Sequence, residues 1–182
     1  RWYKEDRLFV LRVNRDQTKM EVFDCNTKST VSAPWYREES KKYFVNYELF
    51  DQWQWLSDNR VIVVSEQGGY TQAYLYSSQG IEQRLLTPEE RDVTKIYGYD
   101  EATQTLYYQA APTPMSRHAY ALNVRKNITT QLTQGDGTHD LHFSADMRRY
   151  IHRYHSTNMP HNYTLCDVKG ENDKVLLEND SI

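Results

Sequence analysis

A short pattern recurs along this chain of 182 residues at a fixed interval. Trp55-Leu-Ser-Asp-Asn-Arg60 stands ahead of one β-rich run. Tyr99-Asp-Glu-Ala-Thr-Gln104 follows 44 residues later, and Phe143-Ser-Ala-Asp-Met-Arg148 another 44 later. Downstream of each anchor the order repeats: a strand, a polar loop, a Tyr-containing strand, a turn, and a last strand containing Leu86-Thr87, Leu132-Thr133 or Leu176-Leu177. A weaker fourth copy begins at Trp2-Tyr-Lys-Glu-Asp-Arg7, 53 residues before Trp55, with its extra residues between Ser29 and Phe50. A period near 44 with four strands per unit is the signature of a β-propeller. One such unit has two faces and cannot bury both alone. Stacking units buries them, with aromatic side chains filling the space between.

The local sequence agrees. Arg7–Val13, 60–65, 73–76, 105–109, 118–122, 149–154 and 162–165 are short runs rich in β-branched and aromatic residues. Turn formers such as Gln67-Gly68-Gly69, Ser78-Gln79-Gly80 and Gly135-Asp136-Gly137 bound them. No stretch sustains a 3.6-residue apolar period for three turns, and local helix is allowed only in 38–45. The expected fold is all-β: a β-propeller segment of about four blades, each of four antiparallel strands. The first blade is expected to be incomplete, because Trp2 stands almost at the terminus, and the whole to be an arc of a larger ring. The units start near residues 2, 55, 99 and 143. A two-sheet sandwich would also give many short strands, but not a repeat held twice at one spacing. A closed four-bladed ring stays open as an alternative. An arc leaves apolar blade faces bare, so self-association of the fragment is expected.

Composition narrows the function. No apolar run approaches the roughly 18 to 20 residues of a membrane span. The formal net charge of −3 lacks the basic footprint of a nucleic-acid binder. Two cysteines, Cys25 and Cys166, do not make a disulfide scaffold. There is no Gly-x-Ser-x-Gly elbow, Walker loop or Gly-x-Gly-x-x-Gly, so no catalytic nucleophile and no cofactor is assigned. Asp58, Asp100 and Asp146 are expected at hairpin turns, their carboxylates accepting from the next backbone N–H groups. His139-x-x-His142 and His152-x-x-His155 have the look of metal ligands, but residues three apart on a strand point to opposite faces. No metal site is expected from either pair. Alternation places His152 and Tyr154 on one face, with Arg153 and His155 on the other. Cys25 reads as a packed thiol. Glu38-Glu39 and Glu89-Glu90 read as solvated loop charges.

Several stretches, taken in order, carry a resemblance. They are Val13-Asn-Arg-Asp-Gln17, Ser65-Glu-Gln-Gly-Gly-Tyr70 with Ala73-Tyr-Leu-Tyr76, Asp92-Val-Thr-Lys-Ile-Tyr-Gly-Tyr-Asp-Glu101, Ser116-Arg-His-Ala-Tyr120, and Gly137-Thr-His139 with Phe143-Ser144. Together they resemble the N-terminal propeller of the dipeptidyl peptidase IV family, in the prolyl oligopeptidase group of serine peptidases. The family usually has Asp-Gly where Gly68-Gly69 stands and His where Gln72 stands. The resemblance implies the C-terminal half of the propeller, placed before an α/β-hydrolase domain of the same parent chain that carries the Ser-Asp-His triad. It implies an exported parent, periplasmic or at the cell surface, that takes peptide substrates and removes Xaa-Pro or Xaa-Ala dipeptides. The propeller then caps the hydrolase site and gates peptide access. Tyr43, Phe44, Tyr47 and Glu48 fall near a loop that reaches the substrate rim in that family. The alternative is a propeller that binds a protein or glycan and belongs to no peptidase; fold alone does not separate the two.

Overall fold

The computed structural model describes residues 1–169 and 173–179. Among these the regular structure is sixteen strands and one short 3-10 turn, Tyr47–Gln52. The chain divides into two compact units, residues 1–69 with 73–85, and residues 70–72 with 86–182.

The first unit contains the sheet β1 (Trp2–Lys4), β2 (Arg7–Val13), β3 (Lys19–Asn26) and β4 (Ser32–Glu39), in that order and antiparallel. The opening strand is not missing. It is three residues long, with Trp2 opposite Leu8 and Lys4 opposite Arg7. Arg1 extends its cover of β2, because the Phe9 amide donates to the Arg1 carbonyl at 2.9 Å. The second sheet is β5 (Gln54–Trp55), β6 (Val61–Ser65), β7 (Gln72–Tyr76) and β8 (Glu82–Leu85). All five residues of β6 are buried, as expected of a Val/Ile run with both faces covered.

The stretch 38–45 is not helical. Glu38 and Glu39 end β4, whose Pro34 at the sheet edge and aromatic pair Trp35-Tyr36 favour extension. The helical turn forms later, at Tyr47–Gln52, where Leu49 and Phe50 drop into the core. Gly80 packs so closely on the Trp35 carbonyl that a Cβ there would overlap it, and its φ of +77° adds a second reason for glycine.

In the second unit, β9 (Val93–Asp100), β10 (Thr105–Thr113), β11 (Ser116–Asn123) and β12 (Ile128–Gln131) form an antiparallel set. The strands β13 (Thr138–Phe143), β14 (Arg149–Ser156), β15 (Met159–Asp167) and β16 (Lys174–Leu177) form another. These two sets are not separate sheets, as four independent blades would require. A single parallel pairing, Arg117 with Thr138, joins β11 to β13. The Arg117 amide donates to the Gly137 carbonyl at 3.0 Å.

Each anchor lies in the opening strand of its set: Trp2 in β1, Trp55 in β5, Tyr99 in β9 and Phe143 in β13. The turn carboxylates behave as their spacing predicts. Asp58, Asp100 and Asp146 accept from the amides of Arg60, Ala102 and Arg148 at 3.1, 2.9 and 3.1 Å. In two of the four sets the expected closing residues are not strand. Leu86-Thr87 and Leu132-Thr133 follow the ends of β8 and β12. There Leu86, Thr87 and Thr133 turn inward and are buried.

Candidate functional site

The loop after β4 is pinned at both ends to the turn after β2. The Ser40 amide donates to the Thr18 carbonyl at 2.9 Å, and the Val45 amide donates to the Gln17 carbonyl at 2.7 Å. Ser40 Oγ accepts from the amides of Lys42 and Tyr43 at 3.3 and 3.0 Å. Val45 is buried and anchors the loop. Between the anchors Tyr43 and Phe44 stand out, 75% and 72% exposed. With Thr18, Lys41 and Lys42 they line an open cavity of about 440 Å³. Tyr47 and Glu48 begin the 3-10 turn that follows, and both are exposed. Of the four rim residues expected from sequence, the structure brings Tyr43 and Phe44 to one cavity and places Tyr47 and Glu48 beside the loop. A backbone held at two points presents an aromatic pair without having to order it on binding, which lowers the entropic cost of recognition.

Glu38 corrects a reading made from sequence. It is a half-buried strand residue, not a solvated loop charge. Its carboxylate accepts from the Tyr36 hydroxyl at 2.7 Å and the Ser65 hydroxyl at 2.8 Å. Burial, and then the Glu38 charge, push the Tyr36 phenol far above its ordinary pKa. Tyr36 therefore stays protonated and donates its hydroxyl to Glu38. Glu39 is exposed and paired with Arg37, and Glu89 lies 3.4 Å from Arg91.

The histidines of the second unit do not group as the two sequence pairs. In the β13–β14 register, His139 faces Tyr154 and Leu141 faces His152. The diagonal neighbours His139 and His152 thus meet across the strands, Nδ1 to Nε2 at 2.9 Å. His139 Nε2 donates to the Gly135 carbonyl at 3.0 Å. That bond leaves Nδ1 of a neutral His139 as an acceptor, so His152 Nε2 donates to it. The ring of His139 also stacks on His118 at 4.9 Å and on Tyr154 at 4.7 Å between centroids. Burial holds His118, His139 and His152 below the ordinary imidazole value, His152 at about 4. His152 and Tyr154 do share a face, as alternation requires. His142 points elsewhere, toward Asp140. The missed signal was register: spacing within one strand says nothing about the diagonal partner on the next. No group of three or more metal-ligating side chains occurs among the described residues.

Asp140 is the second buried polar centre of this unit. It takes Lys95 Nζ at 3.0 Å and Arg153 Nη2 at 3.1 Å, with His142 Nε2 at 3.5 Å. Burial pushes its pKa up, but Lys95, His142 and the Tyr97 hydroxyl outweigh this and hold it below the ordinary value. Cys25 is partly exposed and Cys166 buried, both as free thiols. No described helix is long and apolar enough to cross a membrane.

Comparison with known proteins places this architecture. Residues 1–161 match the family described as dipeptidyl peptidase IV (DPP IV) N-terminal region. The dipeptidyl peptidase 4 of Arthroderma otae is 27% identical over 124 residues, which cover 65% of this chain and 16% of that protein. The crystal structure of Porphyromonas gingivalis dipeptidyl peptidase 4 superposes with a TM-score of 0.87 at 31% identity, covering 96% of this chain and 25% of that one. A putative dipeptidyl aminopeptidase IV from Bacteroides ovatus shares the fold, with a TM-score of 0.77 at 21% identity over 97% of this chain and 28% of that one. The chain therefore spans between about a sixth and somewhat over a quarter of the length of these relatives. All-β sheets in sets of four, the match over 161 residues and the close superposition agree: the chain is a β-propeller segment and belongs to the dipeptidyl peptidase IV N-terminal region family.

Proposed function

We propose that this chain is the non-catalytic propeller portion of a dipeptidyl peptidase IV-like serine exopeptidase, which removes Xaa-Pro or Xaa-Ala dipeptides from peptide amino termini. The observation that carries the reading, beside family membership, is the exposed pair Tyr43–Phe44 on a loop pinned at Gln17 and Thr18. Bond cleavage belongs to an α/β-hydrolase domain of the same parent chain, through a serine acylated and then hydrolysed by the triad mechanism. This chain's contribution is physical. It caps the hydrolase site, admits extended peptides and excludes folded proteins, and it keeps water from the reacting centre. Tyr43 and Phe44 offer apolar surface to the substrate, while Glu48 offers a carboxylate to a cationic group beside it. The parent is exported, to the periplasm or the cell surface.

A rim that binds substrate equally in ground and transition states affects KM and leaves kcat alone. Phe44→Ala in the intact protein is expected to raise KM for a Gly-Pro-initiated peptide by about fivefold, the factor about 1 kcal/mol supplies. The kcat stays at the parental value. Unchanged KM in Phe44→Ala and Tyr43→Ala alike would remove the loop from the substrate path.

A further inference from the structure

His155 and His161 differ from the other histidines of the second unit. The nitrogens of His139 are committed, and so are His152 Nε2 and His118 Nδ1, the last to Thr133 Oγ1 at 3.1 Å. Neither ring of His155 or His161 has a hydrogen-bond partner among the described residues. They meet because of a bulge. Tyr154 pairs with Asn162 and Ser156 with Met159, so His155 alone faces Pro160 and His161 together. Proline cannot donate to the ladder, and a bulge re-aims the side chains beside it. Here it sets the two imidazoles 4.4 Å apart between centroids, with their planes at 68°.

That separation fits an ion held by both rings at a right angle. With metal–nitrogen bonds of about 2.0–2.1 Å, and a ring centre about 1.1 Å further, two imidazoles whose nitrogens subtend a right angle at one ion have centres about 4.5 Å apart, whatever the angle between their planes. Right-angled nitrogen ligation suits the tetragonal or square-planar preference of Cu²⁺ and Ni²⁺. His155 also lines an open cavity of about 620 Å³ together with Asp136, Thr138, Ser156 and Thr157. The cavity gives room for water at the remaining coordination positions, and Asp136 supplies negative charge nearby. Arg153 is the adverse neighbour, but its guanidinium is engaged by Asp140.

We propose that His155 and His161, brought together by the bulge in the β14–β15 hairpin, form a two-nitrogen site for a divalent transition ion of the Cu²⁺ or Ni²⁺ type. The test is calorimetric titration of Cu²⁺ and Ni²⁺ into the intact protein in a non-coordinating buffer, with electron paramagnetic resonance of the copper form. One equivalent with a two-nitrogen signature is expected. His155→Ala and His161→Ala are each expected to weaken binding by at least the ~10-fold that even an outer-shell partner is worth. His142→Ala, on β13 beside Asp140, leaves binding unchanged. Circular dichroism checks the fold, and His161→Gln replaces any alanine variant that loses it. Absence of binding, or binding that survives both substitutions, overturns the site.

Discussion

Trp53 and His139 are equally removed from water, 0% and 1% exposed, yet they hold their surroundings by different means. Trp53 lies 5.0 to 6.4 Å from the rings of Phe50, Tyr36, Trp35 and Trp55, and its single polar atom donates to the Val64 carbonyl at 3.1 Å. None of those contacts involves a group that titrates near neutrality. His139 sits among His118, His152 and Tyr154, and both of its nitrogens are committed. The first unit is thus cohered by ring area. The second adds the buried polar groups Gln109 and Thr133, and with them the titratable His118, His139 and Asp140, whose contribution depends on protonation state. The same strand architecture tolerates both interiors because the aromatic rings supply area in one and the hydrogen bonds satisfy polar atoms in the other.

The largest effect should come from removing a ring in the first unit. Trp53→Ala deletes a wholly buried indole and leaves the Val64 carbonyl without its donor. It is expected to cost about 3–5 kcal/mol in chemical denaturation. A loss near that of an ordinary surface substitution would show that the aromatic cluster is not what coheres this unit.

Acid should separate the two units. His118, His139 and His152 have folded-state pKa values below the ordinary 6.5. The unfolded chain therefore binds protons that the folded chain refuses, and stability rises with pH through this range. The histidine contribution is complete above about pH 6.5. It is lost as pH falls toward about 4, the His152 value. Hydrogen exchange followed from pH 7 to 4.5, corrected for intrinsic rates, should show opening at β13 and β14 before β6. Equal loss of protection in both would contradict the contrast.

A smaller effect is expected at Asp140. Asp140→Asn keeps the shape but removes the charge facing Lys95 and Arg153, both themselves partly exposed. A cost of about 1–3 kcal/mol is expected, read as a shift of the denaturation midpoint. Phe44→Ala, exposed on its loop, should stay within about 0.5 kcal/mol of the parent.

Sequence carried the strand order and the hairpin turns well. Arg7–Val13 was bounded correctly as a strand because its hydrophobic run ends at turn formers. Asp58, Asp100 and Asp146 were placed correctly because the bond to the residue two positions on is local. What escaped depends on cross-strand register or on packing. Glu38 becomes a half-buried acceptor of two hydroxyls only because Ser65, 27 residues away, comes beside it. The pairs His139–His152 and His155–His161 follow from register and from a bulge, neither of which has a signal in residue spacing. The link between β11 and β13 is one pairing, too small to leave a pattern. The exposed loop at Tyr43 and Phe44 was located by resemblance, and its pinning to Gln17 and Thr18 emerged only in the fold.

The proposed division between a propeller that binds and a hydrolase that cleaves is tested most directly by assaying the purified chain of 182 residues on a Gly-Pro chromogenic amide, beside the intact protein. The account predicts no turnover by the chain, and turnover by the intact protein that a serine-directed fluorophosphonate abolishes. Turnover by the chain alone, abolished by the same reagent, would contradict it.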